Sequence, residues 1–428
     1  MGKTNNKDTE KDTNRYIVLL DKGNATSLKK IEKEFQISIT SSEDLSKDNR
    51  SFNILNTDNS IFYKNLDVVV MEDIELEHLN HSLNDSKSPV IYFEKERVFT
   101  PVNEFDLINE LKSQSVSFQK KILELEDLLK IKSIPQAPKI EMEWGLRAIG
   151  LDKTQYTGKG IDICILDTGF NITHPDFTNR TIEGKSFIPN EDWDKDFHGH
   201  GTHCTGTAAG NKRIDTGKRY GVAPESNIKI AKVLSDTGKG GTSSIIDAID
   251  WAISKKFRIV SLSLGSPVGM NELPSLIFEK VGEKALENNC LIIAAAGNDS
   301  NRPSLPKPVS CPANTKSIIA VAAIDEQHRI ARFSNAGINA STGGEINLCA
   351  PGVDIFSSYS MNYNKPSLYA LLNGTSMATP HVSGLAALYM EANPGMNARE
   401  IWELLEKKAK PVANALYRDI GKGLIQAI

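Results

Sequence analysis

Cysteine is scarce in this chain, with five in 428 residues. Their number is odd, and Cys164, Cys204, Cys290, Cys311 and Cys349 all lie in the C-terminal two thirds, so a disulfide framework is not expected. Most sit in apolar or small-residue runs, where a free thiol packs as a small hydrophobe. Long hydrophobic runs are also missing: no stretch approaches the roughly 18 apolar residues of a membrane span. Charge of one sign is not in excess, since 50 Lys and Arg face 54 Asp and Glu for a net charge of −4. That balance speaks against nucleic acid or an anionic membrane as partner. Residues Met1 to Asn14 are almost wholly polar and carry no apolar core of a leader, so the expectation is the cytoplasm, with export by another route or a leader trimmed from this start as the alternatives.

What is present is organisation in blocks. Residues 1–14 read as a disordered start. Residues 15–100 hold strand candidates at Arg15 to Leu20, Asp67 to Met71 and Pro89 to Glu94, with helices at Ser27 to Phe35 and Glu75 to Ser82, a small α+β module. Residues 101–140 form a third block. Ile108, Leu111, Phe118, Ile122, Leu125 and Leu129 recur at helical spacing, so Asn103 to Ile131 reads as a long amphipathic helix, followed by a linker at Ile134-Pro135-Gln136-Ala137-Pro138. From 141 to 428, near-continuous apolar strands at Ile161 to Leu166, Ile228 to Leu234, Ile259 to Leu264, Leu291 to Ala295 and Ser317 to Ala323 alternate with helical runs. This implies an α/β fold whose mostly parallel sheet is covered by helices on both faces.

Three motifs stand at strand ends and helix starts of that last block. Asp167-Thr168-Gly169 ends an apolar run, His200-Gly201-Thr202-His203 opens a small-residue helix, and Gly374-Thr375-Ser376-Met377-Ala378-Thr379-Pro380 sets a serine among small residues. A serine hydroxyl is a weak nucleophile unless a histidine takes its proton, and that histidine needs a carboxylate to fix its tautomer. The three motifs resemble the subtilisin-like serine endopeptidases, the subtilase or peptidase S8 family, and the chain order Asp, His, Ser is the subtilisin order. The resemblance implies Asp167 as orienter, His200 as general base, Ser376 as nucleophile and Asn298, in Ala296-Gly297-Asn298, as an oxyanion donor beside the Ser376 N–H. It makes His203 a structural histidine and leaves His198 without a role. It also implies that Gly238 and Gly240, with Ser263, Leu264 and Gly265, edge an extended protein or peptide substrate.

The α+β module resembles the propeptide domains that precede many of these enzymes, so the chain's own propeptide is expected as an intramolecular inhibitor and the protein as a self-processing zymogen. Two segments qualify for the processing point, Thr100 to Asn103 and Ser133 to Glu141. Pro101 impedes cleavage directly after Thr100, which tilts the choice to the second. No cofactor is required for the chemistry. Asp176 occupies a position that ligates a structural calcium in relatives, yet Lys212, Arg213, Lys218 and Arg219 nearby suit a divalent cation poorly, and calcium stays open. The acids Glu191, Asp192, Asp194 and Asp196 either attract basic substrate side chains or form a solvated loop. Two other activities share the fold. One is a catalytically silent binding scaffold, which the intact catalytic positions disfavour; the other is a peptide ligase or cyclase, in which an amine captures the acyl-enzyme.

Overall fold

The computed structural model describes residues 15–47, 60–102, 141–211, 217–360 and 367–428. The helix expected over 103–131 and the linker after it lie outside the described residues. The chain divides into two units, Met1–Arg97 and Val98–Ile428.

The first unit holds a five-stranded sheet of order β2-β3-β4-β1-β5, built from β1 (Arg15–Leu20), β2 (Ile39–Ser41), β3 (Ser60–Tyr63), β4 (Val68–Glu72) and β5 (Val90–Lys95). Central β1 pairs antiparallel with both β4 and β5, and all six of its residues are buried. Helix Ala25–Phe35 starts where the Asn24 side chain accepts from the Thr26 and Ser27 amides, and stops where Gln36 turns left-handed at φ 55°. Its Ile31 and Phe35 join Val18, Leu20, Val69 and Leu79 in one core. The short β2 and β3 were not legible as strands in the sequence.

The second unit opens with β6 (Val98–Pro101) and β7 (Glu141–Met142), followed by β8 (Asp162–Asp167), β9 (Ile182–Ser186), β10 (Lys218–Arg219) and β11 (Asn227–Lys232). Then come β12 (Gly240–Gly241), β13 (Ile259–Leu262), β14 (Leu264–Gly265), β15 (Leu291–Ala295), β16 (Ile319–Ile324), β17 (Leu348–Pro351), β18 (Ile355–Ser358) and β19 (Tyr369–Leu372). Seven of these form one sheet of order β17-β16-β15-β13-β8-β11-β9, every pair parallel. The sheet is α/β in class, as expected, and helices cover it. Helix Thr375–Ala392 is buried along its first sixteen residues, so it is enclosed on all sides, and it packs on β13, β15 and β16. Among the described residues no helix is long and apolar enough to cross a membrane.

Candidate active site

The carboxyl ends of β8 and β11 and the starts of helices His200–Ala209 and Thr375–Ala392 meet at one end of the sheet. Asp167 is the last residue of β8, His200 the first of its helix, and Ser376 the second of its own. All three are almost fully buried. His200 Nδ1 lies 2.8 Å from Asp167 Oδ1 and 2.9 Å from Oδ2, and Thr168 N–H donates to the same carboxylate at 2.7 Å. Burial is the largest single influence and works against the imidazolium, but the Asp167 carboxylate and Cys204 beside the ring together outweigh it, and the pKa of His200 stands well above the ordinary 6.5.

Ser376 Oγ donates not to His200 but to the carbonyl of Ser263, at 2.7 Å. Ser263 answers with its own hydroxyl, which donates to the Ser376 carbonyl at 2.8 Å. That carbonyl is free because the residue four positions on, where a helix would supply its donor, is Pro380, which has no N–H. Cys204 Sγ reaches the same carbonyl at 3.6 Å and lies 3.8 and 3.9 Å from the two ring nitrogens of His200. The sequence marks Ser263 only as a substrate edge; Pro380, four residues after the serine, is the signal there that the Ser376 carbonyl needs another donor.

Asn298 stands next to the start of the serine's helix. Its Oδ1 accepts from Thr375 N at 3.0 Å and Thr375 Oγ1 at 2.9 Å, which turns the amide, and its Nδ2 is buried with no hydrogen-bond partner. A buried donor left open beside a helix N-terminus suits a charge that develops only during reaction. Gly297 holds this turn at φ 110°, and a Cβ there would collide with Asn335 Nδ2 and Ser310 Oγ.

The glycine edges expected to grip a substrate grip the protein's own chain. β6 lies between β12 and β14, antiparallel to both, with Gly240 opposite Phe99, Gly241 opposite Val98, Leu264 opposite Pro101 and Gly265 opposite Thr100. Val102 N–H donates to Ser263 O at 3.3 Å, and the Val102 carbonyl accepts from Ser376 N–H at 3.3 Å. Phe99 is fully buried edge-on to Phe278, ring centroids 5.6 Å apart, and Val102 packs on Gly265. Gly240 backs onto the carbonyl of Val233, where a Cβ would clash. Gly238 abuts both Pro101 and His198.

His203 Nε2 meets the carbonyls of Ile355 at 2.9 Å and Ala370 at 3.2 Å, tying its helix to the β18–β19 hairpin. The His198 ring stands 6.1 Å from that of His200. The acidic run is largely engaged within the protein. Asp196 is buried and accepts from Thr168 Oγ1, Gly199 N and both donors of Thr202; Glu191 accepts from Lys232 and Asp236 N; Asp192 pairs with Lys195. Little of its charge is left to attract a basic substrate.

Asp176 does not fit calcium. Its Oδ2 accepts from the Tyr220 hydroxyl and its Oδ1 from the Tyr369 hydroxyl at 3.0 Å, and its backbone carbonyl accepts from Asn211. The neighbouring oxygens of Ala209 and Asn211 are taken by Arg180, at 2.9 and 3.1 Å. Among the described residues, the oxygens next to Asp176 already face donors, where calcium would need six or more of its own. Elsewhere among the described residues, only Asp167, His200 and Cys204 gather three metal-type donors, within 4.8 Å of one another, and a thiol-imidazole set suits a soft ion rather than calcium.

The Peptidase_S8 model, described as the Subtilase family, matches residues 158–423. Subtilisin DY of Bacillus licheniformis is 35% identical over 285 residues, 66% of this chain and 96% of that protein. Subtilisin E of Bacillus subtilis (strain 168) is 37% identical over 282 residues, 65% of this chain and 68% of that protein. The solved structure of Sphericase aligns with a TM-score of 0.57 at 32% identity, covering 69% of this chain and 100% of that one. The chain therefore belongs to the subtilase family and is a serine endopeptidase acting on protein or peptide substrates.

Proposed function

We propose that the protein is a latent zymogen that cleaves its own Val102–Asn103 bond, with Asp167, His200, Ser376 and Asn298 carrying the step. The observation behind this reading is the Val102 carbonyl, which accepts the Ser376 N–H at the end of a strand hydrogen-bonded on both sides. Pro101 lies one residue before that carbonyl and so does not block the bond, although it impedes cleavage directly after Thr100.

For attack, Ser376 Oγ leaves the Ser263 carbonyl and gives its proton to His200 Nε2, while Asp167 holds Nδ1–H and stabilises the imidazolium. The oxygen adds to the Val102 carbonyl carbon, and the oxyanion is met by the Ser376 N–H and the open Asn298 Nδ2. His200 then protonates the Asn103 nitrogen, the amine leaves, and water hydrolyses the acyl-enzyme at Val102 by the same relay. After cleavage, β6 stays in the cleft as a product-like inhibitor until it is displaced. Buried Phe99 and Val102 imply substrates with an aromatic residue three positions before a branched apolar one at the cut.

Intact mass of purified wild type and Ser376→Ala over time tests this reading. The wild type is expected to yield residues 1–102 and 103–428, and Ser376→Ala to stay whole. A boundary within 133–141, or cleavage in the alanine variant, overturns it.

A further inference from the structure

β11 is apolar at Ile228, Ile230 and Ala231 and then ends in Lys232, whose side chain has no exposure. An ammonium withdrawn from water is tolerated only if its donors are met. Here three acceptors meet the three N–H groups: Thr168 O at 2.5 Å, Asp236 Oδ1 at 2.7 Å and Glu191 Oε2 at 3.1 Å. The three come from different parts of the site. Thr168 follows Asp167 and donates its amide to that carboxylate. Asp236 opens the loop that ends in β12, the strand pairing with the segment in the cleft, and its amide is held by Glu191 at 2.8 Å. In the sheet Lys232 stands opposite Asp167 itself.

We infer that Lys232 is a positioning residue: its buried ammonium locks the turn carrying Asp167 to the loop carrying one edge of the substrate, so that peptide register and general base are set by one strut. This rests on the triad reading above. A strut of this kind acts twice, on the orientation of the imidazole and on the placement of substrate residues that reach β12. Substrates too short to reach β12 feel only the first.

The test uses the full chain after self-processing, with active sites counted by an acylating inhibitor, and compares Lys232→Met with the wild type on two substrates. One is a peptide extending four residues before the cut; the other is a single-residue ester. Kcat per active site is expected to fall about 10- to 100-fold on both, the scale of small misplacements in an active site, and KM to rise on the long peptide alone. A second variant, Lys232→Met with Glu191→Gln and Asp236→Asn, removes all three charges and their burial cost, and the same split is expected of it. A purely structural lysine would lower the count of active sites and leave both constants unchanged. That result, or an equal rise in KM on both substrates, overturns the inference. The triad reading fails separately if Ser376→Ala, which is expected to stay unprocessed, cleaves itself or turns over either substrate.

Discussion

Asp167 and Asp176 stand nine residues apart, both buried, both with each carboxylate oxygen hydrogen-bonded, and they do opposite things. Asp167 faces an imidazole, a group that gains and loses a proton near neutrality. Asp176 faces two phenols, and burial followed by the carboxylate itself pushes Tyr220 well above its usual 10. One carboxylate is thus coupled to a proton that moves and the other to protons that stay. The lesson is that burial and hydrogen bonding alone do not mark a catalytic acid; the partner's titration range does.

The comparison breaks most sharply under asparagine substitution. Asp167→Asn keeps the shape but cannot hold the imidazole in the productive tautomer, and kcat is expected to fall about 10⁴-fold with the fold intact. Asp176→Asn should do the reverse, leaving kcat per active site within about twofold while lowering the melting temperature. Kinetics with active-site counting and thermal melting of both variants decide the matter. Comparable loss of turnover in the two would show that the contrast is wrong.

Much of this was legible in the sequence. The near-continuous apolar runs that became β8, β11, β13, β15 and β16 revealed the parallel sheet, because a strand covered on both faces leaves no room for polar alternation. The motifs around Asp167, His200, Ser376 and Asn298 revealed residues that the fold does bring to one end of that sheet. Other features depend on distance along the chain. Tyr369 reaches Asp176 across 193 residues, and no local pattern announces that pairing. β6 has only four residues, too few for a period, and its partners Gly240 and Leu264 lie far downstream. Lys232 reads in sequence as a cation ending an apolar strand, and only the convergence of Thr168, Glu191 and Asp236 explains its burial.

A smaller effect sharpens the Asp176 side. Tyr220→Phe and Tyr369→Phe each remove a hydrogen bond to a buried carboxylate, a loss of about 1.5–3 kcal/mol apiece. Because the phenols and Arg180 occupy the oxygens around Asp176, adding calcium or a chelator should move the melting temperatures of the wild type and Asp176→Asn by the same amount. A drop on chelation, abolished by Asp176→Asn, would mean that calcium competes for this carboxylate after all.

The smallest effect concerns pH, and it separates the two carboxylates without destroying either. Burial lowers the pKa of His200, but Asp167, with Cys204 beside the ring, raises it by more in total, so the neutral base is reached only above the ordinary 6.5. The acid limb of kcat/KM on a small ester should therefore lie above 6.5 in the processed enzyme, since that ratio reports the free enzyme. The sign for stability is opposite: a raised folded pKa stabilises fully below 6.5, and that contribution is lost as pH rises through the folded value. In Asp167→Asn the raising charge is gone and burial is left, so the limb of the residual activity should move down. Asp176→Asn should leave the limb where it was, because that carboxylate meets two phenols and not the catalytic imidazole. A wild-type limb at or below 6.5, or one that shifts equally in both variants, would mean that His200 is not held by Asp167 as the geometry implies.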